Sequence, residues 1–505
     1  MPTTYDEFPY PGKAFGQTHP DHLATLAILL GMTPAPAEQC RVLELGCGDG
    51  GNVIPMAFGL PKSCFTGIDL SGSAIARGQK IIDELHLTNI RLQQFDLMDL
   101  GADFGEFDYI VAHGLYSWVP PEVRERILEI TKAHLAANGV AFISYNAYPG
   151  GHLRQTLREM MLFHTRNVPG ARERVKSARE LLEFLVQSHP EQNAYSTFLR
   201  FEIEALLERK PECFYHDELE EHNHRFYFHE FIADAARHGL QYLSETRLLS
   251  MQSGVFPPET SEKINALSQD DDIVREQYLD FLKLRNFRQT LLCHAGITLN
   301  RSPNPERVTQ LSVTSQARPS SAEPDVRSTT AEEFNFLKGG KMSTNHPLAK
   351  AAILHLGRVW PQAMRFVELL RTARNLSGRD DPSAGAPIAE DSNWLSDMVL
   401  RLFAADFLEL CGHASKFVST VSERPAASRL VLAQVRAGLS ITNLRHASIT
   451  LEDEAAGHLL LMLDGTRDRQ QLLAGIRSQL ASGEVTAGQL ERKLEELAKM
   501  AVLVA

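Results

Sequence analysis

Between residues 41 and 146, short apolar runs alternate with stretches of helical periodicity, and this alternation constrains the fold of the 505-residue chain more than any other feature. The runs 41–45, 65–69, 90–92, 107–111 and 140–144 are rich in β-branched and aromatic residues and are bounded by Gly, Asp or Asn. Five such strands, separated by helical segments such as 74–85 and 121–135, predict right-handed βαβ crossovers and a parallel sheet buried on both faces. The fold class is α/β.

A chain of this length exceeds one compact core and predicts two to four packed units. With 43% hydrophobic and 23% charged residues, each unit can bury a core, which excludes wholesale disorder. Lys+Arg of 51 against Asp+Glu of 63 leaves a formal charge of −12, unfavourable for binding a nucleic-acid backbone. No run approaches the ~18 apolar residues of a membrane span, and the first residues carry neither a basic nor an apolar leader region. The six cysteines form no C-x-x-C pair and read as reduced thiols, so a cytoplasmic protein without a membrane partner is expected.

The segment Glu44-Leu45-Gly46-Cys47-Gly48-Asp49-Gly50-Gly51-Asn52 follows the first strand and precedes a helix. Gly46, Gly48 and Gly51 satisfy G-x-G-x-x-G, which alone suggests a dinucleotide. The charges separate the readings. A pyrophosphate needs free N–H groups and no nearby anion, whereas Glu44 and Asp49 would repel phosphate and favour a cationic ligand. S-adenosylmethionine fits, having a ribose, an adenine, an amino-acid tail and a sulfonium, but no phosphate. Asp69, ending the second strand, is then placed to accept from the ribose hydroxyls, and Asp96, after the third, to reach the adenine amino group with Leu97 beside the ring. Each aspartate alone would equally suit a helix cap or a turn.

The loop and its following strands resemble class I S-adenosylmethionine-dependent methyltransferases. More narrowly, Phe107-Asp108-Tyr109-Ile110-Val111-Ala112-His113-Gly114-Leu115-Tyr116-Ser117-Trp118-Val119-Pro120 and Ser144-Tyr145-Asn146-Ala147-Tyr148-Pro149-Gly150 resemble bacterial enzymes with a methyltransferase regulatory domain, a group similar to the rickettsial protein-lysine methyltransferases of outer-membrane protein B. The likeness continues through Tyr215-His216, Phe228-His229-Glu230-Phe231, Phe287-Arg288-Gln289-Thr290-Leu291-Leu292-Cys293-His294 and Leu463-Asp464-Gly465-Thr466-Arg467-Asp468-Arg469. It implies a Rossmann-like seven-stranded sheet and cofactor contacts from Glu44, Gly46, Cys47, Gly48, Asn52, Asp69, Leu70, Asp96, Leu97, His113 and Gly114. One departure concerns a pocket wall: the family usually has an aromatic residue after the Pro-Gly, and here Gly151 stands there.

The resemblance further implies a division into a cofactor-binding core (1–150), a helical insertion (151–214) suited to covering a substrate or pairing two subunits, and a regulatory segment (215–300) completing the sheet. A Pro/Ser-rich, partly ordered linker (301–345) and a winged-helix-like C-terminal domain (346–505) follow. The cluster His216, Asp217, Glu218, His222, His224 and His229 matches the regulatory-domain motif, so no metal is expected.

A lysine acceptor must be neutral to attack, and a desolvated aromatic pocket would favour that form. The candidates for this pocket are His113, Tyr116, Trp118, Tyr145 and Tyr148, with Tyr5 and Tyr10 folding over from the N-terminus. Nucleobase and arginine acceptors are disfavoured: residues 113–116 lack the Asn-Pro-Pro-aromatic run, no cysteine lies between Cys64 and Cys213, and 113–121 has no carboxylate. A small-metabolite acceptor, or a regulatory protein that binds the cofactor without activity, stays open at this level.

Overall fold

The computed structural model describes residues 8–189, 193–336, 339–380, 387–413, 417–451, 454–479 and 486–505. Its centre is a mixed sheet whose first five strands are β1 (Arg41–Leu45), β2 (Cys64–Asp69), β3 (Ile90–Gln94), β4 (Phe107–Ala112) and β5 (Leu135–Ala147). A two-residue β6 (Arg225–Phe226), β7 (Leu240–Glu245) and β8 (Phe287–His294) complete it. The spatial order is β3-β2-β1-β4-β5-β8-β7, with β6 added parallel to the end of β5. Strands β1 to β5 pair in parallel and β8 runs antiparallel between β5 and β7. Apart from β6 this is the seven-stranded arrangement expected, with the segment after the insertion completing the sheet.

The crossover helices form where the local chemistry favours them. Ser71 Oγ accepts from Ala74 N at 3.1 Å and caps the helix Gly72–Leu85, which ends at His86 in the left-handed region. Pro121 opens the helix Pro121–His134, where its missing N–H costs nothing. Leu23, Val53, Ile54, Ile81 and Ile82 cover one face of the sheet; Ile127, Leu128, Phe228 and Phe231 cover the other. Each such fully buried side chain contributes about 1.5–3 kcal/mol, and together they hold the carboxyl ends of β1, β2 and β4 in fixed register.

The insertion contains the helices Gly151–Thr165, Ala171–Gln187 and Ala194–Leu207 and the short turn Pro211–Phe214, packed about Leu157, Met161, Leu182, Leu199 and Ile203. Phe8 belongs to the same cluster, so the N-terminal segment is anchored there before it crosses to the sheet.

Residues 301–345, expected as a linker, instead contribute to a folded layer. The strand Ser312–Thr314 lies between Met364–Arg365 and Glu409–Cys411, and Arg318–Pro319, Glu332–Asn335 and Lys341–Thr344 form a second small sheet. Their Val308, Val313 and Phe334 pack with Leu348, Leu369 and Leu395 from the helices Pro347–Val359, Phe366–Ser377 and Ile388–Ala404. Those three helices therefore belong with 301–345 and not with a winged-helix unit beginning at residue 346. The sequence also allows short strands within this stretch at 309–313 and 334–337, and the last residue of the second, Leu337, lies outside the described residues.

The C-terminal helices Arg429–Arg436, Glu454–Met462, Arg469–Gln479 and Ala487–Lys499 share their own core around Val431, Leu460, Leu472 and Leu494, with a hairpin of Ile441–Thr442 and Ser448–Ile449. This unit docks on the sheet's helices: Leu430 and Ala433 join the core beneath β1, and Arg436 pairs with Glu84 at 2.9 Å. Among the described residues no helix is long and apolar enough to cross a membrane.

Candidate active site

The glycine loop leaves β1 with Gly46 N and Cys47 N both donating to Ile68 O on β2, at 2.9 and 3.0 Å. Gly48 has φ +56°, and a Cβ there would meet nothing within 4 Å, so the loop presents bare backbone to open space. Gly51 is glycine for another reason: a Cβ would lie 2.6 Å from the carbonyl carbon of Gly12, because residues 10–15 pass directly over the loop. Between them lies a pocket of about 770 Å³.

Its acidic end was legible in the sequence. Asp69 accepts from Gly48 N and Ser71 N, each at 2.8 Å, and lines the pocket. Asp96 caps a turn through Met98 N at 2.9 Å and lines the pocket as well, together with Leu70 and Leu97. Glu44 is buried, and its Oε1 accepts from Asn52 Nδ2 at 2.7 Å. Glu44 Oε2 meets no partner among the described residues. Burial, and then the neighbouring Asp69 and Asp49, push this carboxyl up to about 8. A buried carboxylate oxygen lacking a donor is the group a cationic ligand would satisfy, and the bare backbone at Gly48 leaves room for it. Cys47 lines the same end, its thiol pushed well up by burial and by Glu44, so it is no thiolate.

His113 and Gly114 stand where β4 ends. Ser144 Oγ binds His113 Nδ1 at 3.0 Å and accepts from Gly114 N at 2.9 Å, which orients the imidazole while Nε2 meets no partner among the described residues. Burial, with Lys13 nearby, pushes this histidine down to about 4, so the ring is neutral at physiological pH.

The expected aromatic set divides. Trp118, His113 and Tyr10 line the pocket, while Tyr116, Tyr145 and Tyr148 do not. Tyr145 lies inside β5, which is longer than expected, and strand alternation turns it away from the face carrying Ser144 and Asn146. It is fully buried, 4.2 Å from Phe231, with its hydroxyl 3.1 Å from Thr290 Oγ1. Tyr116 packs edge-on to Phe231 in the same core. Tyr148 stacks on His152 at 4.0 Å, outside the pocket. Tyr116 and Tyr145 are thus buried in the core, Tyr148 is half-buried beside the pocket, and Asn146 lines the pocket where Tyr145 was expected. Tyr5 lies outside the described residues.

The other end of the pocket was not legible as such. It is built by Asp217 and Glu218, in a π-helical turn Tyr215–Leu219, and by Arg154, Arg209 and Arg225. Arg154 and Arg209 approach Glu218 Oε1 at 3.3 and 3.4 Å, leaving Oε2 without a partner among the described residues. Burial raises Glu218 to about 7 against the pull of Arg154 and Arg209. The Arg225 side chain lies where a Cβ on Gly151 would fall, 2.5 Å away at its Cδ, and so fills the wall that an aromatic residue was expected to form. The histidines beside this turn serve other contacts: His216 binds Phe8 O and Glu220, and His229 binds Gln277.

A sheet of this order, with a glycine loop leading from β1 into the acidic end of the pocket, defines a class I S-adenosylmethionine-dependent methyltransferase. Family models match in three places: a methyltransferase domain over residues 42–139, a predicted methyltransferase regulatory domain over 210–294, and a PKMT C-terminal winged helix domain over 423–504. PKMT2 from Rickettsia typhi, solved in complex with AdoHcy, is 30% identical, and the alignment covers 98% of this chain and 100% of that one at a TM-score of 0.87. The uncharacterized protein RP789 of Rickettsia prowazekii is 33% identical over 97% of this chain and 88% of its own length. A second protein of that organism, RP028, is 40% identical over 46% of this chain and 94% of its own. The chain belongs to this family of methyltransferases, and its cofactor is S-adenosylmethionine.

Proposed function

We propose that the protein methylates lysine side chains of a bacterial protein in the cytoplasm. The observation that carries this reading is the correspondence with PKMT2 along the whole chain, at a TM-score of 0.87, which includes the segments bounding the acceptor end of the pocket. The six cysteines, all unpaired, suit a reducing compartment.

In this reading Asp69 holds the ribose hydroxyls, Asp96 and Leu97 the adenine, and Glu44 the ammonium of the amino-acid tail. When bound, the cofactor supplies a methyl group on a sulfonium, open to direct displacement. The rest falls to the chain. Trp118 and Tyr10 exclude water from the acceptor amine. Neutral His113 adds no positive charge beside the sulfonium. Arg154 and Arg209 hold Glu218 by one oxygen, and its other oxygen takes a proton from the incoming ammonium, giving the neutral amine that attacks.

Incubating the purified protein with bacterial lysate and isotopically labelled cofactor, followed by mass spectrometry of tryptic peptides, tests this. Label on lysine side chains is expected. Label confined to small molecules would sink the reading.

A further inference from the structure

Asn52 is a hub. It sits at the start of the helix Val53–Gly59, yet its side chain does not cap that helix. Oδ1 accepts from Phe15 N at 3.0 Å, and Nδ2 donates to Glu44 Oε1 at 2.7 Å and to Thr18 Oγ1 at 3.0 Å, the Thr18 hydroxyl itself donating to Phe15 O. A backbone N–H can only donate, so the Phe15 contact makes the atom facing it Oδ1 and fixes which way the amide points.

The last partner comes from 394 residues away: His446 Nε2 lies 3.0 Å from Asn52 Oδ1. Because Oδ1 only accepts, Nε2 carries the proton and donates. His446 stands at the tip of the C-terminal hairpin, in the left-handed region at φ +57°. The tip is held in shape by Asn443, whose Oδ1 accepts from Arg445 N at 3.0 Å and Ala447 N at 2.8 Å. Beside it Ser448 Oγ donates to Ala14 O at 3.0 Å, seating the hairpin on the N-terminal segment that covers the glycine loop. The imidazole is buried, with no open surface on which to act otherwise.

We propose that the C-terminal domain is part of the cofactor site, with His446 a positioning residue that locks the Asn52 amide so that Asn52 holds Glu44 by one oxygen and presents the other to the cofactor's ammonium. The proposal rests on the reading of Glu44 as the group that meets that ammonium. With His446 removed, Asn52 Oδ1 keeps the Phe15 N–H but loses its second donor, and the amide that holds Glu44 Oε1 is held less firmly.

Calorimetric binding of two probes to the full chain tests this: S-adenosylhomocysteine, which has the amino-acid tail, and methylthioadenosine, which lacks it. His446→Ala is expected to weaken S-adenosylhomocysteine about 3- to 10-fold, the scale of one buried hydrogen bond, and to leave methylthioadenosine unchanged. His446→Gln, whose side-chain amide can donate to Asn52, should recover most of the loss. In a Glu44→Gln background, His446→Ala should have no further effect, because the two act in series. Equal weakening of both probes would mean that His446 supports only the fold and would overturn the proposal. Weakening by Glu44→Gln with none by His446→Ala would overturn the relay but keep the site. No weakening by either would overturn the reading of Glu44 itself.

Discussion

The ring of Phe15 lies 3.8 Å, centroid to centroid, from the imidazole of His113. Phe15 thus joins the N-terminal segment to the end of β4 across the mouth of the pocket, and its position depends on how closely residues 10–15 approach the glycine loop. Gly51→Ala would place a methyl group 2.6 Å from backbone of Gly12, where no flexible side chain can yield. The segment should lift and release Phe15 from His113. The expected outcome is faster proteolytic cleavage between residues 8 and 18, with cofactor affinity reduced while the far-ultraviolet circular dichroism is unchanged.

Glu44 predicts a proton signature. Its carboxyl is pushed from the ordinary 4.5 up to about 8, so at pH 7 the free protein holds a proton there that a cationic cofactor must displace. Calorimetry in buffers of differing ionisation enthalpy should find close to one proton released per S-adenosylhomocysteine bound at pH 7, and affinity rising up to tenfold per unit between pH 6 and 8. Glu44→Gln should abolish both. The sign for stability is the reverse. A raised carboxyl favours the protonated folded state, so this group's contribution falls as pH climbs from the ordinary glutamate range through about 8, and bound cofactor offsets the loss.

The aromatic residues separate packing from chemistry. Tyr145→Phe removes only the bond to Thr290 Oγ1 and should cost about 0.5–1.5 kcal/mol of stability with turnover unchanged. Trp118→Ala, at the pocket wall, should lower turnover of a lysine-bearing acceptor about 3- to 30-fold, the range of a desolvated ring–cation contact. Methyl-transfer kinetics beside thermal melting curves would check the pair.

Arg288 carries a stability prediction. Its guanidinium is fully buried and pairs with Glu245 at 2.7 Å, Glu276 at 3.1 Å and Asp280 at 2.8 Å, with its face 3.7 Å from the centroid of Phe228. Arg288→Met leaves three buried carboxylates with Arg285 as the remaining cation in contact. A loss of about 3–5 kcal/mol is expected, read as a large drop in melting temperature, since removing one partner of a buried ionic cluster strands the others.

What was legible in the sequence follows from distance along the chain. Strands β1 to β4 declared themselves because parallel strands, buried on both faces, read as compact apolar runs ended by Gly, Asp or Asn. Glu44, Asp49 and Asp69 were readable because a short loop and the strand beside it bring them together. Tyr145 was misplaced because β5 extends to Ala147, and a strand longer by three residues turns a pocket residue into a core residue. Asp217 and Glu218 stood out only as part of a motif, and nothing local marked them or Arg225 as pocket residues, because the insertion folds them back to the pocket from beyond residue 200. The stretch 301–345 read as a partly ordered linker with room for two short strands, and its strands at Ser312–Thr314 and Glu332–Asn335 fall near those runs; Pro and Ser obscured the rest because both also occur in short edge strands.

The hub at Asn52 also sets an order of events in synthesis. Phe15, Thr18 and Glu44 leave the ribosome early, but His446 follows Asn52 by 394 residues. At about 5–20 residues per second, that is a delay of roughly 20–80 s. Through that interval the sheet can form while the amide that steadies Glu44 lacks one partner. A chain lacking the hairpin would therefore lack the donor that His446 gives to Asn52, and the glycine loop's support depends on a segment far along the chain.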